Sequence, residues 1–201
     1  MRTRDPRKEQ AIRRKALELI VRSGLDGFSM QNLARAARVS PATLYIYFQD
    51  RDDLLFQVYR TAATTMTEEV LRGFDPDGGF ADGLRLQWRN RARYALAHPR
   101  EARFLEQVRH SPYFSPFQAR LPQEFREMMR RFAQNAISRR EMRPMPPEIF
   151  WALVYSPLYQ LIRFAQEEGG FFSAAHGRPK FELTDEVLEA ALQGVLRAVR
   201  P

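Results

Sequence analysis

Thr43 and Tyr45 carry hydroxyls close together along the chain, and Ala42 beside them carries a bare methyl. A hydroxyl can donate to a base edge or a phosphate oxygen, and a methyl can meet the methyl group of thymine. Pro41 and Ala42 are compact enough to bring their own backbone close to a base pair. Arg51 supplies a guanidinium, and the free amides that open a helix can hold phosphate oxygens. These are the means to read a nucleic acid rather than to transform a substrate. Catalysis has little else to draw on. The chain has no cysteine, and its three histidines, His98, His110 and His176, show no metal-ligand spacing. There is no G-x-S-x-G, no Walker-type loop and no G-x-G-x-x-G. The pair Glu167-Glu168 reads as a solvated helix end, and neither a cofactor nor a metal is expected.

Hydroxyls and methyls become a reading surface only if helices hold them. Helical spacing dominates the sequence, and no run alternates with period two, so the expected fold is all-α. Residues 7–23 place Ile12, Ala16, Leu19 and Ile20 on one stripe, with Arg13, Arg14 and Arg22 off it. Gly24 stands where a left-handed residue commonly ends a helix, and Phe28 follows as a core anchor. Ser29 is an N-cap for a short helix to about Ala36. Ser40 is a second N-cap, with Pro41 at the first helical position, where a missing N–H costs nothing. That helix reaches about Tyr47 or Phe48, anchored by Leu44 and Phe48, with Pro41, Ala42, Thr43, Tyr45 and Tyr47 on its other sides. Asp50 caps a long fourth helix to about Arg72, with Asp52 and Asp53 favourably placed in its first turn.

Beyond the break Asp75-Pro76-Asp77-Gly78-Gly79, helices are expected at about 82–97, 100–109, 121–140, 147–168 and 184–199. Ser111-Pro112 and Ser115-Pro116 read as separators, and 169–183 as a long loop. Charge supports a division of labour along the chain. Residues 1–60 hold 12 Lys or Arg against 7 Asp or Glu, while the remaining residues hold 20 against 17. A basic first third on a nearly balanced remainder suggests a polyanion-binding module; a merely solvated charged face would look similar. The N-terminus shows no secretory pattern and no stretch is apolar enough for a membrane span, so the expected location is the cytoplasm, without membrane contact.

The string GFSMQNLARAARVSPATLYIYFQDRDDLL resembles the DNA-binding signature of the TetR family of transcriptional regulators (TetR/AcrR type). The matching features are the Gly-Phe-Ser lead-in, Leu33-Ala34, Val39-Ser40, Thr43-Leu44-Tyr45, Tyr47-Phe48, and a basic then an acidic residue before Leu54. The likeness covers about residues 7–60. It implies a homodimer whose N-terminal helix-turn-helix domain, residues 1–50, is joined by a long helix to a ligand-binding and dimerisation domain, residues 51–201. By position it puts base contacts at Gln31, Pro41, Ala42, Thr43 and Tyr45. Phosphate contacts fall at Ser29, Tyr47 and Arg51, beside the Ser40 cap and an arm of Arg2, Arg4, Arg7 and Lys8. The family often has Gly in the turn where this chain has Arg38. If that position is left-handed, a side chain there costs roughly 1 kcal/mol.

After residue 80 the likeness fades and aromatic residues accumulate. Trp88, Phe104, Phe125, Met128, Trp151, Tyr155 and Tyr159 are candidates to line a pocket for a hydrophobic or aromatic effector; filling the core is the plainer use of each. Pro157 should kink its helix or free a carbonyl near Tyr155 and Tyr159. The last two helices are broadly apolar, and the resemblance assigns them to a four-helix dimer interface. The resulting expectation is a regulator released from a palindromic double-stranded DNA operator by a small molecule of unknown identity. The alternatives are a DNA-binding protein without an effector and, more remotely, an all-helical enzyme.

Overall fold

The computed structural model describes residues 5–120, 123–166 and 181–201. Arg2, Arg4, Glu167-Glu168, His176 and all but the end of the 169–183 segment lie outside the described residues. Every regular element among those described is a helix. They group into two compact units, one of residues 1–66 with 98–121, the other of 67–97 with 122–201.

The first unit contains α1 (Pro6–Ser23), α2 (Met30–Ala36), α3 (Pro41–Tyr47), α4 (Arg51–Leu71) as far as Met66, α6 (Pro99–Arg109) and α7 (Phe114–Ala119). Asp5 caps α1, its carboxylate accepting from the amides of Arg7 at 2.9 Å and Lys8 at 3.4 Å. Ile12, Ala16, Leu19 and Ile20 are buried as their stripe requires, and Leu17 joins them. α6 lies against α1, where Gln107 donates to the Val21 carbonyl and Phe104 is fully buried. Prolines at the start of α1, α3, α6 and α9 (Pro147–Val154) supply a ready-made φ where no amide is needed.

Two glycines govern the passage from α1 to α2. Gly24 closes α1 by donating to the Ile20 carbonyl at 2.8 Å. Its φ of 76° and ψ of 169° are not left-handed helical, as the sequence suggests, but extended at positive φ, a region essentially reserved for glycine. At Gly27 a Cβ would come 2.4 Å from the Ser23 carbonyl oxygen, because the chain crosses the end of α1 with no room for a methyl.

In the second unit α5 (Phe80–Ala97) packs against α8 (Glu124–Ser138), α10 (Ser156–Gln166) and α11 (Asp185–Val199). The helix expected over 147–168 is in fact two, α9 and α10, parted at Tyr155 with φ −110° and ψ −29°. Pro157 explains the break: it has no N–H to give, and its ring crowds the carbonyl four residues back. The carbonyl of Val154 at the break accepts the Trp88 indole N–H at 3.1 Å inside the core. α7 runs through Ser115-Pro116, which the sequence reading takes as a separator. Pro116 falls in the first turn of that helix, where an amide has no intrahelical partner to lose. α11 is capped by Thr184 and buries Leu188, Leu192, Val195, Leu196 and Val199. Arg85 grips Glu189 with two parallel bonds, Nε to Oε2 at 2.8 Å and Nη2 to Oε1 at 2.9 Å, tying α5 to α11.

Gly27→Ala should lower stability by about 1–3 kcal/mol in urea unfolding, because a methyl must displace backbone rather than a yielding side chain. The Arg85 guanidinium, with help from Gln193, holds the Glu189 carboxyl down to about 2. A depressed carboxyl contributes stability above its ordinary value near 4.5 and loses it as pH falls toward 2. Glu189→Gln should therefore flatten the fall in melting temperature across that acid window and lower the plateau above it.

Candidate nucleic-acid interface

α2, a three-residue turn and α3 form a helix-turn-helix assembled from local rules. Ser29 adopts extended backbone and its hydroxyl accepts the Asn32 amide at 3.2 Å, which starts α2. Leu33 and Ala34 turn inward at 0% and 3% exposure. The turn then brings the Ala37 amide to the Leu33 carbonyl and the Val39 amide to the Ala34 carbonyl. Arg38 stands at φ 55°, so the turn is left-handed at a residue with a side chain. A glycine would spare that position about 1–2 kcal/mol. Ser40 opens α3, its hydroxyl accepting the Thr43 amide at 3.2 Å and bonding the Thr43 hydroxyl at 2.8 Å.

Leu44 and Phe48 are buried and fix α3 to the unit, as their spacing predicts. Tyr47 is buried with them, which corrects its expected place on an outer side. Its spacing of three from Leu44 puts it on the same face, and its hydroxyl accepts the Asp5 amide at 3.3 Å. Pro41, Ala42 and Tyr45 remain exposed, Tyr45 at 57% with its phenol in solvent, while Thr43 is half-buried. Gln31 and Ser40 are exposed and Ser29 half-buried beside them.

Arg51 has an employment that the sequence reading missed. Its Nε donates to the Phe28 carbonyl at 3.2 Å and Nη2 to the Leu25 carbonyl at 2.6 Å. Nη1 donates to the Tyr113 hydroxyl at 2.6 Å and to Asp52 at 3.4 Å. The guanidinium also lies over the rings of Phe28 and Tyr113. With four of its five N–H donors engaged internally, Arg51 clamps the segment between α1 and α2. No local pattern announces this, because Tyr113 is distant in sequence. Arg7, Arg35 and Arg38 are exposed and carry no ion pair among the described residues; Arg35 escaped the sequence reading.

Of the pocket candidates, Phe104 belongs to the first unit and the other six to the second. Trp88 and Tyr155 are each 1% exposed, whereas Phe125, Met128, Trp151 and Tyr159 are half-buried. Trp151 lies 4.9 Å from the Tyr155 ring and is stacked on Tyr159 at 6.0 Å. Among the described residues, no group of His, Cys, Asp or Glu is arranged to hold a metal ion and no helix is long and apolar enough to cross a membrane.

Residues 12–58 match the model of the bacterial regulatory proteins of the tetR family. An uncharacterized HTH-type transcriptional regulator of Haemophilus influenzae is 30% identical over 96 residues, 48% of this chain and 51% of that protein. The match thus spans about half the length of that curated relative. Among solved structures, a TetR family transcription regulator from Marinobacter aquaeolei superposes with a TM-score of 0.72 and 26% identity, covering 100% of this chain and 99% of the other. A TetR-family transcriptional regulator from Haemophilus influenzae shares the fold at a TM-score of 0.73 and 23% identity, over 97% of both chains. The Haemophilus relative and the Marinobacter structure are both named as transcription regulators.

Arg51→Lys should lower the melting temperature, since an ammonium cannot reach two carbonyls and a phenol in the guanidinium's planar fork. DNA affinity should keep its dependence on salt, measured on refolded protein below the new midpoint. Loss of a phosphate contact would instead reduce the logarithmic salt slope by about 0.9.

Proposed function

This chain belongs to the tetR family of bacterial regulatory proteins, and from that footing we propose that it is a DNA-binding transcriptional repressor released from a palindromic operator by a small-molecule effector. The observation that carries the reading is α3. Its buried face of Leu44, Tyr47 and Phe48 leaves Pro41, Ala42 and Tyr45 outward at a capped helix start, with Thr43 at their margin. Those side chains, with Gln31 on α2, serve as the base-reading set. Ser29, Arg7, Lys8, Arg35 and Arg38 supply phosphate contacts, and Arg51 and Tyr47 hold the frame.

Homodimerisation is part of the proposal, because two recognition helices must enter successive major grooves about 34–36 Å apart. α9, α10 and α11 support it by leaving apolar surface incompletely covered. Ile149 is 48% exposed and Leu153 and Leu161 are half-buried. α11 also turns Ala190, Gly194 and Ala198 outward, where a second helix could approach closely. The effector acts within the second unit by binding better to the conformation that cannot hold the operator, and only that difference in affinity shifts the balance. A constitutive DNA-binding protein is favoured by one feature, the dense filling around Trp88, Tyr155 and Leu158.

Selection from a random duplex library should return a palindrome bound about 10³-fold more tightly than scrambled DNA at physiological salt. Tyr45→Ala should weaken the selected site by about 1–3 kcal/mol while leaving scrambled DNA unaffected. Equal weak binding to both sequences, lost steeply with salt, would reject sequence-specific reading.

A further inference from the structure

Arg91 on α5 is 3% exposed, yet no carboxylate among the described residues faces it. Neutral groups surround the guanidinium. Nη1 donates to the Tyr159 hydroxyl at 2.8 Å and Nη2 to Gln87 Oε1 at 3.3 Å. The Tyr155 and Phe125 rings lie 4.5 and 5.9 Å from its central carbon. Nε is buried and has no acceptor among the described residues. Gln87 cannot offer more: its Oε1 already accepts the Tyr155 hydroxyl at 2.9 Å, and its amide nitrogen meets only the Met129 sulfur at 3.0 Å. Burial pushes the Tyr155 hydroxyl up to about 12 despite the opposing pull of Arg91, so that phenol stays neutral and supplies no counter-charge.

A guanidinium keeps its proton inside proteins, so a whole positive charge stands in this interior with no carboxylate among the described residues to offset it. Aromatic faces and dipoles offset part of the cost of taking it out of water. For folding alone, an apolar side chain of similar volume would be cheaper. An open donor on a buried cation is the arrangement that an incoming anion completes. Beside it, the half-buried Phe125, Met128 and Trp151 provide apolar, polarisable surface for the body of such a molecule.

The geometry points to Arg91 as the anchor of a small organic carboxylate with an aromatic or aliphatic body. The assignment rests on the reading of the second unit as an effector domain. A carboxylate oxygen accepts from Nε, and the apolar body lies along Phe125, Met128 and Trp151. Neutral analogues of the same shape lose the charge-assisted bond that sets the preference.

The test titrates the full-length chain with benzoate, phenylacetate and decanoate, and in parallel with their amides, reading tryptophan fluorescence and calorimetric heat. At least one acid is expected to bind about tenfold or more tightly than its amide. Arg91→Met should leave the ligand-free melting temperature equal or higher and abolish that preference. Should Arg91→Met not fold, Arg91→Lys must keep a preference that Arg91→Gln loses. Amides binding as well as acids, a preference that survives the loss of charge, or no acid binding at millimolar concentration would each overturn the assignment. An operator-release assay separates the two readings. Amides that bind and release DNA sustain the effector reading while rejecting the anionic class. Acids that bind through Arg91 without loosening DNA do the reverse.

Discussion

The Arg51 guanidinium holds two backbone carbonyls, those of Leu25 and Phe28, in the short segment that joins α1 to α2. Carbonyls in such a segment have no regular ladder to satisfy them, and a charged fork supplies both acceptors' needs at once. The consequence runs down the chain. Phe28 and Ser29 are set in place, Ser29 starts α2, the turn at Arg38 redirects the backbone, and Ser40 starts α3. The proposed reading surface of α3 is thus only as well defined as the bond network of Arg51. Tyr113, which takes the third donor, draws α7's approach into the same support.

What the sequence disclosed and what it withheld divide along the range of the interactions. The two serine caps, Pro41, the Leu44–Phe48 spacing and the Asp50 cap act within a few residues, and each was legible before any coordinates. Tyr47 shows its spacing of three from Leu44 in the sequence, yet its polar tip argues for an outer side, and its burial at 7% exposure shows that the helical period decides. The clamp made by Arg51 is not legible in the sequence, since its partner Tyr113 is brought to it only by the fold. The same holds in the second unit. Pro157 announced a disturbance, but not that the break would fall at Tyr155 or that the Trp88 indole would take up the Val154 carbonyl. A buried Arg91 without a carboxylate was equally invisible, since nothing local marks an arginine for the interior.

The units also solve the problem of polar groups differently. The first spends a charge on backbone carbonyls, those of Leu25 and Phe28. The second buries Gln87, Asn90 and Arg91 on neighbouring positions of one helix. Both amide N–H groups of Asn90 are employed, on the carbonyls of Val70 and Arg72, whereas the Arg91 Nε–H has no acceptor among the described residues. Side by side on α5, one residue closes a structural account and the other leaves it open.

The prolines that begin α1, α3, α6 and α9 restrict the chain before it folds as much as after. A ring that fixes φ removes conformations from the disordered ensemble, worth about 0.4–1 kcal/mol where the native backbone suits it. Part of this protein's stability therefore lies in what its unfolded form cannot do, and leaves no contact in the folded one. Pro41 belongs to that group and to the proposed reading surface together. A change of target preference at that position carries with it a change in the entropy of the denatured chain, so evolution cannot adjust the one without moving the other.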